Sequence, residues 1–112
     1  LNDLGIQNLT GLEHARFLQK LGINDNNVSD LSPIAGLTSL SELWASNNQI
    51  ENLTPLENLT GLVNLGLGTN KIDDLTALKG LKNLSWLDLG NFHFKQNYGF
   101  HRAPSPDLQK IG

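Results

Sequence analysis

A regular internal repeat constrains the fold of this chain more than any other feature of its sequence. Adding 22 to a residue number leads to the equivalent position of the next unit, and the first column consists of Leu18, Leu40, Leu62 and Leu84. Each unit reads LxxLxLxxNxIxxLxxLxxL, and Ala45 is the one small residue in the third apolar column. Full units therefore start at about residues 18, 40 and 62. A partial unit precedes them and a degenerate one begins at 84, so the repeats are predicted to cover residues 1–94.

The spacing within one unit predicts a coil rather than a single helix or strand. Seven apolar positions are too many for one face of a helix, and they alternate only at the LxL core. A short strand at LxL, a turn at the asparagine, and a return along an extended or 3₁₀ segment place them all inside. Because each coil buries its leucines only against the next, the units stack into a solenoid with one parallel sheet. The predicted class is an α/β-type repeat solenoid that is mostly β.

The asparagine column, Asn26, Asn48 and Asn70, has a mechanical explanation. The chain leaves each strand through a tight turn whose peptide groups face inward. An inward amide has two donor hydrogens and an acceptor oxygen with which to satisfy them. The column therefore predicts a buried structural ladder, since buried polar groups in proteins are usually hydrogen-bonded to neighbouring backbone.

These columns resemble the leucine-rich repeat family. The proline before the second convex apolar residue, in LSPIAGL (Leu31 to Leu37) and LTPLENL (Leu53 to Leu59), is similar to the internalin-like and phosphatase-regulator-like class of 22-residue repeats. The resemblance covers residues 1 to about 94. It implies an arc whose concave parallel sheet binds another protein, with 3₁₀ or extended segments on the convex side. Neither a helical N-terminal cap nor the usual C-terminal cap is recognisable, which favours a fragment of a longer repeat protein.

Composition and motifs argue against other functions. The formal net charge of −3 and the pI near 5.4 disfavour nucleic-acid binding. The chain has no cysteine, and no apolar run approaches the roughly 18 residues of a membrane span. Gly66 and Gly68 lack both the third glycine of a dinucleotide fingerprint and a P-loop ending. We find neither metal-ligand spacing among the histidines nor a Ser–His–acid arrangement, so we predict no metal, no cofactor and no enzymatic activity.

The residues that flank the LxL leucines are predicted to lie on the open, concave face, because side chains alternate along a strand. Gly22, Gly66, Gly68 and Gly90 share these columns. The candidate binding residues are Lys20, Asn24, Glu42, Trp44, Ser46, Asn64, Trp86 and Asp88. Tryptophans bordered by small residues and charges are typical of a binding hot spot. Alternatively, each indole covers exposed glycine backbone and serves stability alone. Strand spacing predicts about 10 Å between the two tryptophans.

The resulting hypothesis is a monomeric, non-enzymatic protein-binding module, part of a bacterial cell-surface or secreted protein. A carbohydrate is a less favoured ligand, because aromatic platforms also suit sugars. Two alternatives remain open: an intracellular regulatory subunit that binds an enzyme, and an isolated fragment or scaffold without its own ligand. Residues 95–112 break the repeat, and they either lack a fixed structure or cap the last coil. The cap would use Phe92, Phe94, Tyr98, Phe100, Leu108 and Ile111.

Overall fold

Four short strands alternate with four 3₁₀ helices in the computed structural model, which describes residues 1–90. The strands are β1 (Lys20–Gly22), β2 (Glu42–Trp44), β3 (Asn64–Gly66) and β4 (Trp86–Asp88). The 3₁₀ helices are Leu12–His14, Ser32–Ile34, Thr54–Leu56 and Thr76–Leu78. No α-helix occurs within this part of the chain. The predicted cap over 95–112 and the end of the degenerate unit lie outside the described residues.

The strands form one parallel sheet in the order β1-β2-β3-β4. Residues that face each other across neighbouring strands are one repeat period apart, as in the pairs Leu21 with Leu43 and Leu65 with Leu87. The coil is therefore as long as the sequence period. This arrangement confirms the predicted solenoid with a parallel sheet and 3₁₀ return segments.

The leucine columns fill the interior between the sheet and the 3₁₀ helices. Leu43, Leu65 and Leu87 are each 0% exposed, and the residues on either side of them in the strands are more accessible, apart from Gly66. The first coil differs, because Leu1 and Leu4 remain 59% and 64% exposed. The interior of the solenoid is thus continuous from coil to coil and open at its first one.

A second repeated feature starts the return segments. The side-chain oxygens of Asn8, Asp30, Asn52 and Asp74 each accept a hydrogen bond from the backbone N–H two residues later. Such Asx turns compete with extended structure and redirect the chain. In the second and third coils, Pro33 and Pro55 follow, and their fixed φ suits the first turn of a helix. The turn and the proline together fix where each 3₁₀ helix begins.

The two aspartates of this column, Asp30 and Asp74, should make the stability of the fold depend on pH under acidic conditions. The backbone N–H and hydroxyl of Ser32 hold the pKa of Asp30 below its ordinary value of 3.8. The hydroxyl and backbone N–H of Thr76 do the same for the pKa of Asp74. Because the folded-state pKa is the lower one, the ionised carboxylates stabilise the fold above the unfolded pKa. This stabilisation is lost as the pH falls through the folded-state pKa.

Asp30→Asn combined with Asp74→Asn should therefore weaken the acid dependence of stability. Asparagine already makes the same turn at residue 52, so the fold should persist. Melting temperatures measured between about pH 5 and about pH 2 should fall less for the double variant than for the parent chain. The reverse exchange, Asn52→Asp, should steepen the fall. Parallel curves for all three proteins would contradict the assignment.

Candidate functional site

The ladder asparagines join each coil to the one before it. Asn48 is 5% exposed, and its Oδ1 accepts a hydrogen bond from the backbone N–H of Val28 at 3.0 Å. Its Nδ2 donates to the carbonyls of Ile23, Ala45 and Ser46 at 3.0 to 3.2 Å. The other two ladder asparagines repeat this set in their own coils. The amide serves both its own turn and the backbone of the preceding coil.

Two further asparagines, which the sequence analysis did not single out as a link, join the first three turns. Asn2 Oδ1 accepts a hydrogen bond from the backbone N–H of Asn24, and Asn24 Oδ1 accepts one from that of Ser46, both at 2.8 Å. The oxygen of Asn24, a candidate binding residue, is therefore engaged inside the chain. The available signal was the recurrence of asparagine at two positions that are one repeat period apart.

A left-handed residue that is not glycine lies in the turns after β1, β2 and β3, and another occupies the equivalent position of the first coil. Asp3, Asp25, Asn47 and Thr69 have φ values of 55° to 59°. Aspartate and asparagine adopt this region more readily than other side chains, whereas a β-branched threonine there is strained. Asn47 Nδ2 also donates to Asp25 Oδ1 at 2.8 Å. This column shapes the edge of the open sheet face, next to the candidate site.

Four candidate residues lie at the corners of a rectangle on the open face. Glu42 and Trp44 are on β2, and Trp86 and Asp88 are on β4. Between them, β3 places Asn64 in register with Glu42 and Trp86, and Gly66 in register with Trp44 and Asp88. The tryptophans thus occupy one diagonal and the carboxylates the other. We call these four residues the aromatic frame.

Trp44 lies over Gly66. A Cβ atom on Gly66 would be 2.8 Å from Trp44 Cε3, so the ring can occupy this place only because residue 66 has no side chain. Glu42 fixes the other side of the ring, since its Oε1 accepts a hydrogen bond from Trp44 Nε1 at 3.2 Å. Lys20 Nζ lies 3.5 Å from the second carboxylate oxygen. Trp44 is consequently half-buried and held in one orientation.

The two indoles meet edge to face, with ring centroids 6.4 Å apart and an interplanar angle of 68°. This separation is shorter than the distance of about 10 Å expected from strand spacing. The expectation counted two strands and ignored the direction of the rings, and Trp44 leans across the bare backbone of Gly66. Aromatic pairs favour this geometry. Trp86 keeps 37% of its surface exposed, so the pair presents an accessible aromatic surface.

Asp88 is oriented by the turn that follows β4. Its Oδ1 accepts a hydrogen bond from the backbone N–H of Gly90 at 2.8 Å. Gly90 has φ of +61°, and a Cβ there would approach Gly68 Cα to 3.2 Å. Glycine is therefore required for the close contact of the two turns. A Cβ on Gly68 would lie 3.6 Å from Asp88 Oδ1, so this carboxylate lies close to the backbone at Gly68.

A family model described as Leucine Rich repeats (2 copies) matches residues 16–58 and 38–80. The chain belongs to the leucine-rich repeat family. Among solved structures, it is similar to internalin C2 of Listeria monocytogenes, with 41% identity, a TM-score of 0.75, and coverage of 76% of this chain and 38% of that one. Internalin InlF of the same organism has 37% identity and a TM-score of 0.80, and the match covers 96% of this chain and 30% of that one.

A leucine-rich repeat protein of Leptospira interrogans is also similar, at 28% identity and a TM-score of 0.69. That match covers 89% of this chain and 25% of the other protein. No curated protein sequence matches. The chain spans well under half the length of each of these three solved structures. These neighbours support the predicted internalin-like class of leucine-rich repeat.

Within the leucine-rich repeat sheet, the predicted site residues divide into two groups. Glu42, Trp44, Trp86 and Asp88 form the aromatic frame, with half-buried Asn64 between them. Lys20, Asn24 and Ser46 lie outside it. Lys20 is exposed and paired with Glu42. Asn24 and Ser46 are joined by the hydrogen bond between neighbouring turns. The frame is thus the one part of the predicted face where aromatic and charged side chains converge.

Within residues 1–90, no three histidine, cysteine or acidic side chains are grouped so that they could hold a metal ion. None of the helices in this part of the chain has the length and apolar character that crossing a membrane requires.

Proposed function

We propose that this leucine-rich repeat chain is a monomeric, non-enzymatic protein-binding module whose aromatic frame takes an extended segment or surface loop of another protein. The observation that carries the proposal is the exposed Trp86 indole, which packs against a Trp44 ring fixed by Gly66 and Glu42. An aromatic anchor already held in place loses little conformational freedom on binding. The frame therefore has the features of a binding hot spot.

The internalin neighbours favour a bacterial protein that acts outside the cell or at its surface, and we propose this location for the chain. Their similarity also favours the protein-binding module over an intracellular regulatory subunit. A carbohydrate is the weaker candidate ligand. The Trp44 indole N–H is engaged by Glu42 and its ring covers Gly66, which leaves Trp86 as the free stacking surface of the pair.

The proposal is tested by replacing Trp86, because Trp44 also covers Gly66 and its loss would disturb stability and binding together. Peptides that bind the folded chain are first selected from a random displayed library. Trp86→Ala should then weaken their binding by about 2 kcal/mol or more, the usual effect of removing a hot-spot aromatic residue. Fluorescence anisotropy with labelled peptides measures this affinity, and thermal unfolding checks that the fold is retained.

Val63→Ala is the matched control. Val63 is also an exposed apolar residue, at 36% exposure, but it precedes β3 and is not part of the frame. Its replacement should leave the affinity of the same peptides unchanged. Selected peptides that bind the Trp86→Ala variant as tightly as the parent chain would overturn the proposed function.

A further inference from the structure

Resting on the proposed function, we propose that the partner places a basic side chain, arginine or lysine, against the Trp86 indole, with the Asp88 carboxylate as its counter-charge. Trp86 and Asp88 occupy alternate positions of β4 and therefore face the same side of the sheet. Their backbones are about 7 Å apart along the strand. A guanidinium or ammonium group can span this distance, stacking on the ring and reaching the carboxylate.

The charges of the open face support a cation from outside. Lys20 is the one basic residue in β1 to β4, and it lies 3.5 Å from Glu42. Asp88 makes no ion pair with any of residues 1–90. The Gly90 N–H orients the Asp88 carboxylate, and an ionised carboxylate can accept about four hydrogen bonds, so capacity for a ligand remains.

Asp88 is partly shielded from water. Its side chain is half-buried and lies close to Gly68, much as Trp44 lies over Gly66. A charge partly removed from water interacts more strongly with a ligand cation than a fully solvated one does. A partner that covered Trp86 with apolar groups alone would bury this carboxylate without a counter-charge, which is unfavourable. The frame therefore favours a ligand that is basic beside its apolar contact.

The experiment uses peptides selected on the parent chain whose binding depends on Trp86. These peptides should share an arginine or lysine, and replacing it by glutamine should weaken binding about tenfold. Asp88→Asn, which keeps an oxygen for the Gly90 N–H, should weaken binding of the original peptide to a similar extent. The two changes together should cost little more than either alone, because both remove the same interaction.

Glu51→Gln is the control, since it removes one negative charge from an exposed residue outside the four strands. It should leave peptide affinity unchanged. Trp86-dependent peptides that lack a basic residue, or that bind the Asp88→Asn variant as tightly as the parent, would overturn this inference and leave the proposed function standing. If no selected peptide depends on Trp86, both are overturned.

Discussion

Replacing Leu65 by alanine is expected to lower the free energy of unfolding by about 2–5 kcal/mol. Leu65 is 0% exposed in the middle of β3, and its register partners Leu43 and Leu87 lie on either side of it. Truncation would leave a cavity in the centre of the solenoid, where the coils above and below limit how far the structure can collapse. The midpoint of urea unfolding, followed by circular dichroism, measures the loss.

Val63→Ala provides the comparison for Leu65→Ala. It removes apolar atoms two residues earlier in the same coil, at a position that is 36% exposed. Its unfolding midpoint should stay close to that of the parent chain. Equal midpoints for the parent and the Leu65 variant would show that this column does not form the core.

Replacing Asn48 by leucine is expected to destabilise the chain by about 3 kcal/mol or more, although it adds apolar surface. The change removes the acceptor of the Val28 N–H and the donor shared by the carbonyls of Ile23 and Ala45. Each buried polar group left without a partner costs about 1–3 kcal/mol. The carbonyl of Ser46 loses its bond as well. Thermal and urea unfolding both measure the effect.

Gln49→Leu is the control for the ladder prediction. It introduces the same side chain one residue later, at an exposed position. It should change the melting temperature little. If Asn48→Leu melts at the temperature of the parent chain, the turn amides do not depend on the asparagine.

The fold was predictable because equivalent positions recur several times within one chain and can be compared with each other. Columns of leucine at a constant spacing predict which residues share an environment, and the parallel register follows once the coils stack in step. The pairing of Leu21 with Leu43, and of Leu65 with Leu87, is the direct result. The strand alternation also predicts that Trp44 and Trp86 lie on the open face.

The left-handed turns were harder to predict because residues of several types occupy the column that adopts positive φ. Asp3, Asp25 and Asn47 are residues that tolerate positive φ, but Thr69 in the same column is not. The column therefore looks unremarkable in the sequence alone. The asparagine link from Asn24 to the next turn was missed for a related reason, because the column continues with Ser46 and then glycine.

The arrangement of the tryptophans could not be predicted from the repeat period. The period fixes which strand each residue occupies and leaves the side-chain rotamer open. Trp44 leans toward Trp86 because Gly66 has no side chain and because the Trp44 indole N–H donates a hydrogen bond to Glu42. The Trp44 ring covers glycine and also supports an exposed aromatic partner, and its role in binding stays a prediction.

The asparagine bonds that cross from one coil to the preceding one also bear on how such a chain can change in length. Each set of bonds is complete within two neighbouring coils, as Asn48 shows with Val28 and Ile23. Duplicating or deleting one whole unit, cut at matching points of the period, therefore leaves every such junction with its ladder bonds. Gene duplication can widen the sheet one strand at a time without redesigning the interior. Each added unit also brings its own outward-facing side chains, so the recognition surface can diverge while the bonds between coils stay the same.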